Sequence, residues 1–411
     1  MRLGALCVIS VCALAACATP PRRPAPPTVI NDAAPPGFPR TVRLVTTDLA
    51  GFTRRAPEFF AGIRAAASGG RVNILALSGG GSEGAFGAGA LVGLTQAHAR
   101  PHFELVTGVS AGALIAPFAF LGSTWDPELE AAFTTDHSRL LGRSPSWRFL
   151  SRLVFPLGRA HDDPLFDMVN RYVTPALVAA VARAAERGRR LVIATTDLDS
   201  EETVLWDMGV IAEHGGEAAR ELFRDVLVAS ASVPGAFPPV LIRVRDGLHT
   251  YEEMHVDGSV TTSVFTFPLV AGIGRMDLPP MHGGELYMIV NSPLARLPKT
   301  TPVSTVSVLT RSFSAGMTYK TREAIVDTVN LTARLGMQFH LTDIPVDFPT
   351  TTVVDFSPKL MRDLFDYGER CAAAGQLWLT PEQSMRRNLG ATEIRSAAGT
   401  PCPGAATLAN R

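Results

Sequence analysis

Two apolar stretches, each followed at once by a glycine-rich turn and a helix-forming run, constrain the fold of this 411-residue chain most strongly. The first stretch and its turn occupy residues 72–84, and a helix-forming run continues over residues 85–98. The second stretch and its turn occupy residues 103–112, and a helix is expected from residue 111 to about 121. Short buried strands that alternate with helices are typical of a parallel sheet covered by helices. We therefore predict an α/β fold with three layers, α/β/α, around a mainly parallel central sheet.

The rest of the chain supports a large core of the same kind. The chain is 46% hydrophobic, which excludes wholesale disorder. No internal repeat and no domain boundary is visible after residue 40, so residues 41–411 are predicted to form one domain with a helical C-terminal part. Further strands are predicted at residues 190–196, 203–206, 250–256 and 285–290, and further helices from the caps Asp163 and Thr174 and at residues 307–335 and 358–375.

The first glycine turn, residues 78–84, is typical of a loop that cradles an anion. Its backbone N–H groups precede a helix N-terminus, which carries partial positive charge. The spacing Gly79-x-Gly81-x-x-Gly84 also matches the dinucleotide fingerprint, and Glu104 lies twenty residues further on. However, Glu104 precedes an apolar stretch, whereas a ribose-binding acid should end the second strand. Nucleotide binding is therefore the weaker alternative.

The second turn has the G-x-S-x-G pattern of a nucleophile elbow. Gly108 and Gly112 flank Ser110, and the turn joins a strand candidate to a helix candidate. Glycines are needed there because the serine backbone is strained and nearby side chains would block a substrate. The helix N-terminus favours negative charge on the serine oxygen. Pro117 predicts that this helix is bent or short.

A base for Ser110 is expected at Asp257, which ends a strand candidate just before Gly258. A carboxylate in that position can reach a nucleophile on a neighbouring strand, although an ordinary Asp-Gly turn is the plain alternative. A Ser-His-Asp esterase acting on small esters would instead need a histidine such as His255, His282 or His340. His255 shares a strand face with Asp257, but that spacing fixes no hydrogen bond, so a structural histidine is favoured.

Taken in order, these motifs resemble the patatin-like phospholipases. The segment from Ala229 to Pro239, Ala-Ser-Ala-Ser-Val-Pro-Gly-Ala-Phe-Pro-Pro, is similar to the segment that this family has between elbow and aspartate. The resemblance covers about residues 72–260. It implies a dyad without histidine, with Ser110 as nucleophile and Asp257 as base. It also implies a lipid acyl hydrolase that cleaves phospholipid or lysophospholipid esters through an acyl-enzyme.

The same resemblance implies an oxyanion hole made by the backbone N–H groups of Gly79, Gly80 and Gly81. The chain departs from the family at Glu83, where an arginine or lysine is usual. A carboxylate suits a helix N-terminus but cannot stabilise an oxyanion. A catalytically inactive, lipid-binding protein is therefore an alternative to the enzyme.

Neither cofactor nor nucleic acid is expected. No His/Cys/Asp cluster has the spacing of metal ligands, so no metal is implied. The chain has 38 Lys+Arg and 38 Asp+Glu, which argues against phosphate-backbone binding. The expected partner is a membrane lipid substrate, and no protein partner can be read from the residues.

The N-terminus has the pattern of a bacterial lipoprotein. Residues 1–16 are predicted to be a signal peptide, since their apolar run is too short to span a bilayer. Cys17 ends a Leu-Ala-Ala-Cys sequence that resembles a lipobox, in which the cysteine is lipidated; a chance cysteine after an ordinary signal is the alternative. Proline-rich residues 17–40 predict an extended tether. We expect a lipid-anchored protein of the bacterial cell envelope, at the outer membrane.

Two other features leave alternatives open. Residues 142–160 interleave aromatic and basic side chains, which suits either a membrane-facing lid or a packed loop with solvated arginines. Cys371 and Cys402 either pair in an oxidising compartment or remain free thiols.

Overall fold

The computed structural model describes residues 22–135, 163–266, 281–350 and 355–405. The predicted signal peptide, Cys17 and residues 142–160 lie outside these ranges. Within them, none of the helices combines the length and the apolar character that crossing a bilayer requires.

A single nine-stranded sheet forms the centre of the molecule, with seven strands in the order β1-β5-β4-β3-β2-β8-β9. Strands β4, β3, β2, β8 and β9 pair in parallel with their neighbours. Strands β5 and β1 and the β6–β7 hairpin pair antiparallel at one side of the sheet. The expected α/β class with a mainly parallel centre is confirmed. The strands are β1 Arg43–Val45, β2 Asn73–Leu77, β3 Leu105–Val109, β4 Arg190–Asp197, β5 Glu202–Asp207, β6 Val240–Asp246, β7 His249–Asp257, β8 Glu285–Val290 and β9 Gln338–Asp343.

Eleven helices of at least six residues lie in the described ranges, and each predicted helix is among them. The elbow helix runs past Pro117 to its expected end, so the proline does not shorten it. The helices are α1 Leu49–Ala66, α2 Ala85–Gln96, α3 Ala111–Leu121, α4 Asp126–Thr134, α5 Pro164–Tyr172, α6 Pro175–Ala185, α7 Met208–Glu213, α8 Gly216–Ser230, α9 Thr305–Leu335, α10 Pro358–Ala373 and α11 Pro381–Gly390.

Both faces of the sheet are covered, which makes three layers. Alternate side chains of a strand point to opposite faces. In β2, Leu75 and Leu77 pack into one apolar core with α2, α3 and α8, whereas Ile74 and Ala76 pack into a second core with α1 and α9. Strands buried on both faces read as continuous apolar runs, which is why β2 and β3 were visible in the sequence.

The N-terminal segment differs from the expected tether. Residues 22–40 contact the folded body: Arg22 forms an ion pair with Asp199, and Ala34 exchanges two backbone hydrogen bonds with Arg245 of β6. An edge strand offers unpaired backbone groups, and this segment uses them. The folded body therefore begins before residue 41.

A disulfide joins Cys371 of α10 to Cys402. The bond attaches the C-terminal segment to α10, which packs closely on α2. A crosslink over a loop of this length typically contributes about 2–4 kcal/mol to the free energy of unfolding.

Candidate active site

Ser110 lies in a strained turn between β3 and α3. Its φ of 53° and ψ of −123° are unusual for a residue with a side chain. Such strain persists only where the surrounding structure enforces it, and it is typical of functional sites. The turn presents the Ser110 hydroxyl at the carboxyl end of a central strand, as the elbow motif requires.

The four glycines that support these motifs each face an atom that a side chain would strike. A Cβ at Gly108 would lie 2.6 Å from the carbonyl oxygen of Gly112, and one at Gly112 would lie 2.4 Å from that of Leu77. The other two contacts are Gly84 against the Cβ of Ala111 at 2.7 Å and Gly258 against the carbonyl oxygen of Ala194 at 2.5 Å. The glycines therefore allow the loops of the site to approach each other.

Asp257 meets Ser110 directly. The Ser110 hydroxyl donates to Oδ2 of Asp257 at 2.6 Å, and the backbone N–H of Ser259 donates to Oδ1 at 2.7 Å. Strand β7 makes this possible because it pairs with β4, with Thr195 opposite Asp257, and β4 lies next to β3. The two residues predicted as nucleophile and base thus form one hydrogen-bonded pair.

Burial sets the protonation behaviour of this pair. Asp257 is fully buried, and burial raises the pKa of its carboxyl from 3.8 to about 6, against the opposing effect of the hydrogen bonds from Ser110 and Ser259. At neutral pH the carboxyl is still mostly charged, but it holds a proton more readily than an exposed aspartate. A base that operates near its own pKa is well suited to take and return a proton.

Two of the candidate histidines, His255 and His340, have other partners than Ser110. His255 is fully buried, with Nδ1 3.0 Å from the hydroxyl of Thr195 and Nε2 3.3 Å from a carboxylate oxygen of Glu253. His340 contacts Glu285, the first residue of β8, and therefore lies at the opposite end of the parallel strands from the elbow. Among the described residues, the Ser110 hydroxyl bonds to Asp257 alone, so a Ser-His-Asp arrangement is not formed there.

The glycine loop provides two free backbone donors where three were predicted. The N–H of Gly79 donates to the carbonyl oxygen of Ser263 at 2.9 Å and is therefore occupied. In the described part of the chain, the N–H groups of Gly80 and Gly81 have no hydrogen-bond acceptor. Gly79 has a different role: a Cβ there would lie 2.4 Å from the hydroxyl of Ser259. The sequence alone could not distinguish Gly79 from Gly80 and Gly81, because only the fold brings the acceptor Ser263 to the loop.

Asn291, just after β8, holds this loop in place and was not predicted. Its side-chain nitrogen donates to the carbonyl oxygen of Ser78 at 2.9 Å, and its side-chain oxygen accepts the N–H of Gly87 at 3.1 Å. Its backbone N–H donates to the Ser78 hydroxyl at 2.8 Å. No sequence motif surrounds Asn291, so its role becomes visible only through the parallel pairing of β2 with β8.

Ser230 holds the elbow from the other side. Its hydroxyl accepts the backbone N–H of Ser110 at 3.0 Å and donates to the carbonyl oxygen of Ala194 at 2.7 Å. In the same segment, the carbonyl oxygen of Ser232 accepts the N–H of Asp257 at 3.0 Å. The Ala-Ser segment noted in the sequence therefore fixes the backbone of both members of the pair.

Glu83 is fully buried beside the oxyanion loop. Burial raises the pKa of its carboxyl, while the charge of Arg296 acts in the opposite direction. The guanidinium Nη1 of Arg296 lies 3.6 Å from Oε1 of Glu83. Arg296, which follows β8, thus brings a guanidinium next to Glu83. Glu83, which stands where the family usually has an arginine or lysine, therefore has a cationic partner within the chain.

An apolar cavity that is open to the surface begins at the glycine loop. Gly81 lines one part of it, and apolar side chains from several helices, among them Leu114, Phe118, Met168 and Tyr172, line other parts. The wall contains almost no polar surface, so the cavity suits a hydrocarbon chain.

Two other ligand classes find no support in the geometry. Glu104 is buried at the start of β3, where its carboxylate accepts the N–H of Asn73 at 2.7 Å, far from the strand end at which a ribose would bind. Within the described ranges, no three His, Cys, Asp or Glu side chains gather closely enough to hold a metal ion.

One family model and several solved structures are similar to this chain. Residues 75–270 match the family model described as patatin-like phospholipase. Among solved structures, the chain is similar to VipD from Legionella pneumophila, with 12% identity and a TM-score of 0.33 over 77% of this chain and 70% of that one. It is also similar to human GIVD cytosolic phospholipase A2 (10% identity, TM-score 0.31, 64% of this chain and 52% of that one). A third match is the type III effector protein ExoU, with 12% identity and a TM-score of 0.28 over 78% of this chain and 54% of that one. The chain therefore spans about half the length of the last two proteins. No curated protein sequence matches it.

Proposed function

Through residues 75–270 this chain is a member of the patatin-like phospholipase family, and on that premise we propose that it hydrolyses phospholipid or lysophospholipid carboxylic esters with a Ser110–Asp257 dyad. The observation that carries the proposal is the 2.6 Å hydrogen bond from the strained Ser110 to the buried Asp257. No histidine is needed in this scheme, because the carboxylate itself takes the proton.

The reaction proceeds in two steps. Oγ of Ser110 attacks the ester carbonyl carbon while its proton passes to Oδ2 of Asp257, and the N–H groups of Gly80 and Gly81 stabilise the oxyanion. Collapse of this intermediate breaks the ester bond, and the leaving alcohol takes the proton from Asp257. Water then attacks the acyl-enzyme and gives a proton to Asp257. Collapse of this second intermediate breaks the bond between the acyl carbon and Oγ of Ser110, Oγ takes that proton back from Asp257, and a fatty acid is released.

The apolar cavity is the reason for proposing a substrate whose ester carbonyl carries a long acyl chain. Gly81 belongs both to the oxyanion loop and to the cavity wall, so a carbonyl held by the loop has its chain directed along Leu114 and Phe118. Burying each CH₂ of such a chain contributes about 0.8 kcal/mol, which favours long-chain lipids over short soluble esters.

The dyad is tested by substitution. Ser110→Ala and Asp257→Asn should each lower hydrolysis of micellar lysophospholipid by at least about 1,000-fold, because each removes a group that acts only in the chemical step. Ser68→Ala, an exposed serine just after α1, is the matched control and should retain full activity. Retention of activity by Ser110→Ala would refute the proposal.

We further propose that the mature protein is anchored by a lipid on Cys17, in the bacterial cell envelope and at the outer membrane. The support is the sequence pattern of residues 1–17. Cys17→Ser should move the protein from the membrane to the soluble fraction and remove the lipid mass from its N-terminus. An unchanged mass for the two proteins would contradict lipidation.

A further inference from the structure

The first half of α9 is much less buried than its second half. From Thr321 onward the helix buries Thr321, Ile325, Thr328 and Leu335 at helical spacing. Between residues 304 and 320, by contrast, no side chain whose exposure the structure describes is buried. The second half therefore supplies the buried contacts that hold the helix, and the exposed side chains of the first half are open to contact something else.

Apolar side chains are concentrated on this first half. Val308 is 50% exposed, Leu309 58% and Phe313 37%, and Val303, just before the helix, is fully exposed. Leu309 and Phe313 are four residues apart and so lie on one face. Single exposed apolar residues are ordinary on a protein surface, but a contiguous group marks an interaction site.

The charged side chains on the stretch of chain that carries this group have one sign. Residues 286–322 contain no Asp or Glu, although the chain as a whole has as many acidic as basic residues. The same stretch carries Arg296, Lys299, Arg311, Lys320 and Arg322. Arg296 faces the buried Glu83, which leaves Lys299, Arg311, Lys320 and Arg322 as the other cations of this stretch. An apolar helix face on a stretch whose own charged side chains are all cations is complementary to an anionic lipid surface, where the apolar groups enter the acyl boundary and the cations meet phosphates.

The first half of α9 ends next to the active site. Lys320 donates to the carbonyl oxygen of Val260 in the turn after Asp257, and the hydroxyl of Thr321 donates to that of Ser263 at 2.8 Å. The carbonyl oxygen of Ser263 in turn accepts the N–H of Gly79 in the oxyanion loop. The end of this first half is thus fixed to both loops of the site.

We propose that residues 303–319 form a membrane-docking surface that seats the enzyme on an anionic phospholipid bilayer with its active site at the bilayer. Val308, Leu309 and Phe313 insert at the boundary between headgroups and acyl chains, and Arg311 contacts lipid phosphate. The benefit for catalysis rests on the proposed lipid hydrolase function, but the binding itself requires no catalysis.

The test is vesicle binding by the full chain carrying Cys17→Ser and Ser110→Ala, so that neither lipidation nor turnover contributes. With vesicles of phosphatidylglycerol, the triple change Val308→Ser, Leu309→Ser, Phe313→Ser should lower binding at least about tenfold. The single changes Phe313→Ser and Arg311→Gln should lower it in the same direction. Leu248→Ser and Leu389→Ser are matched controls, since those leucines are 99% and 73% exposed elsewhere, and they should bind as the parent does.

Binding of the triple variant equal to that of the parent would overturn the proposal. So would a change in oligomeric mass without a change in vesicle binding, because the surface would then serve a second copy of the chain. Equal binding of the parent to phosphatidylcholine and phosphatidylglycerol vesicles would show that lipid charge plays no role, and this result would also contradict the proposal. Because Ser110 is absent from these proteins, failure of the proposed dyad would leave the binding result unaffected.

Discussion

At the scale of single residues, the buried carboxylate of Asp257 determines how the site responds to pH. Its pKa is raised to about 6 by burial, and a base must be deprotonated to act. With Ser110 as its hydrogen-bond donor, the carboxylate form is the one that accepts the serine proton.

The pH dependence follows from that shift. We predict that kcat/KM for a short soluble ester is level at neutral pH and falls about tenfold per pH unit below about 6, since the carboxylate fraction falls in the same proportion. An ordinary exposed aspartate would give the fall near pH 4. The measurement is a kcat/KM profile between pH 4 and 8, and an inflection near 4 would contradict the burial argument.

The structure places the predicted nucleophile and base in hydrogen-bond contact. Ser110 and Asp257 were predicted because each stands in a short motif whose local geometry the chemistry requires. Gly79 was assigned wrongly as an oxyanion donor, and Asn291 was missed. The role of Gly79 depends on its contact with Ser263, and the role of Asn291 depends on its contact with Ser78. In each case the two residues are far apart in the chain, so no local sequence pattern encodes the contact.

At the scale of elements, the glycine loop depends on the neighbouring strand β8 for its shape. Asn291 joins the start of the loop at Ser78 to helix α2 at Gly87. A Cβ at Gly80 would lie 2.0 Å from the carbonyl oxygen of Asn291, so the loop also rests directly on this residue. The two free N–H groups of the loop are thus aimed by an element outside it.

This dependence predicts the effect of Asn291→Ala. The change leaves a buried carbonyl and a buried N–H without partners and loosens the oxyanion loop, so kcat should fall about 10–100-fold with KM nearly unchanged. Asn330→Ala, an exposed position on α9, is the matched control. An increase in KM with kcat unchanged would show that Asn291 acts on substrate binding instead of on the loop.

The elements themselves were largely predictable because their signals are local. Helices that begin with a capping residue and proline, such as α5 and α6, started where expected, and the apolar strands β2, β3 and β8 were visible from composition alone. Several elements were not predicted: strands β1, β6 and β9 and helices α1, α4, α7, α8 and α11. Strand β9 is an example, because Gln338–Asp343 mixes polar and apolar residues and gains its burial only beside β8.

At the scale of the whole molecule, the order of the strands explains why the site forms where it does. Ser110 follows β3, the oxyanion loop follows β2 and Asn291 follows β8, and these parallel strands are neighbours that end at one edge of the sheet. Asp257 reaches the same edge through β7 and β4. Motif order in the sequence indicated the family, but the strand order that joins these groups comes from packing across the chain. The contact between residues 22–40 and β6 likewise depends on a distant partner.

The most direct test of the account is covalent labelling of the protein with a fluorophosphonate probe, followed by peptide mass analysis. A serine activated by Asp257 and facing the free N–H groups of Gly80 and Gly81 should become labelled at Ser110, and Ser110→Ala should abolish the label. Asp257→Asn should slow labelling strongly, whereas His255→Gln should reduce it only as far as it destabilises the fold. A protein that does not label at Ser110, or that labels equally well after Asp257→Asn, would contradict the proposed Ser–Asp dyad.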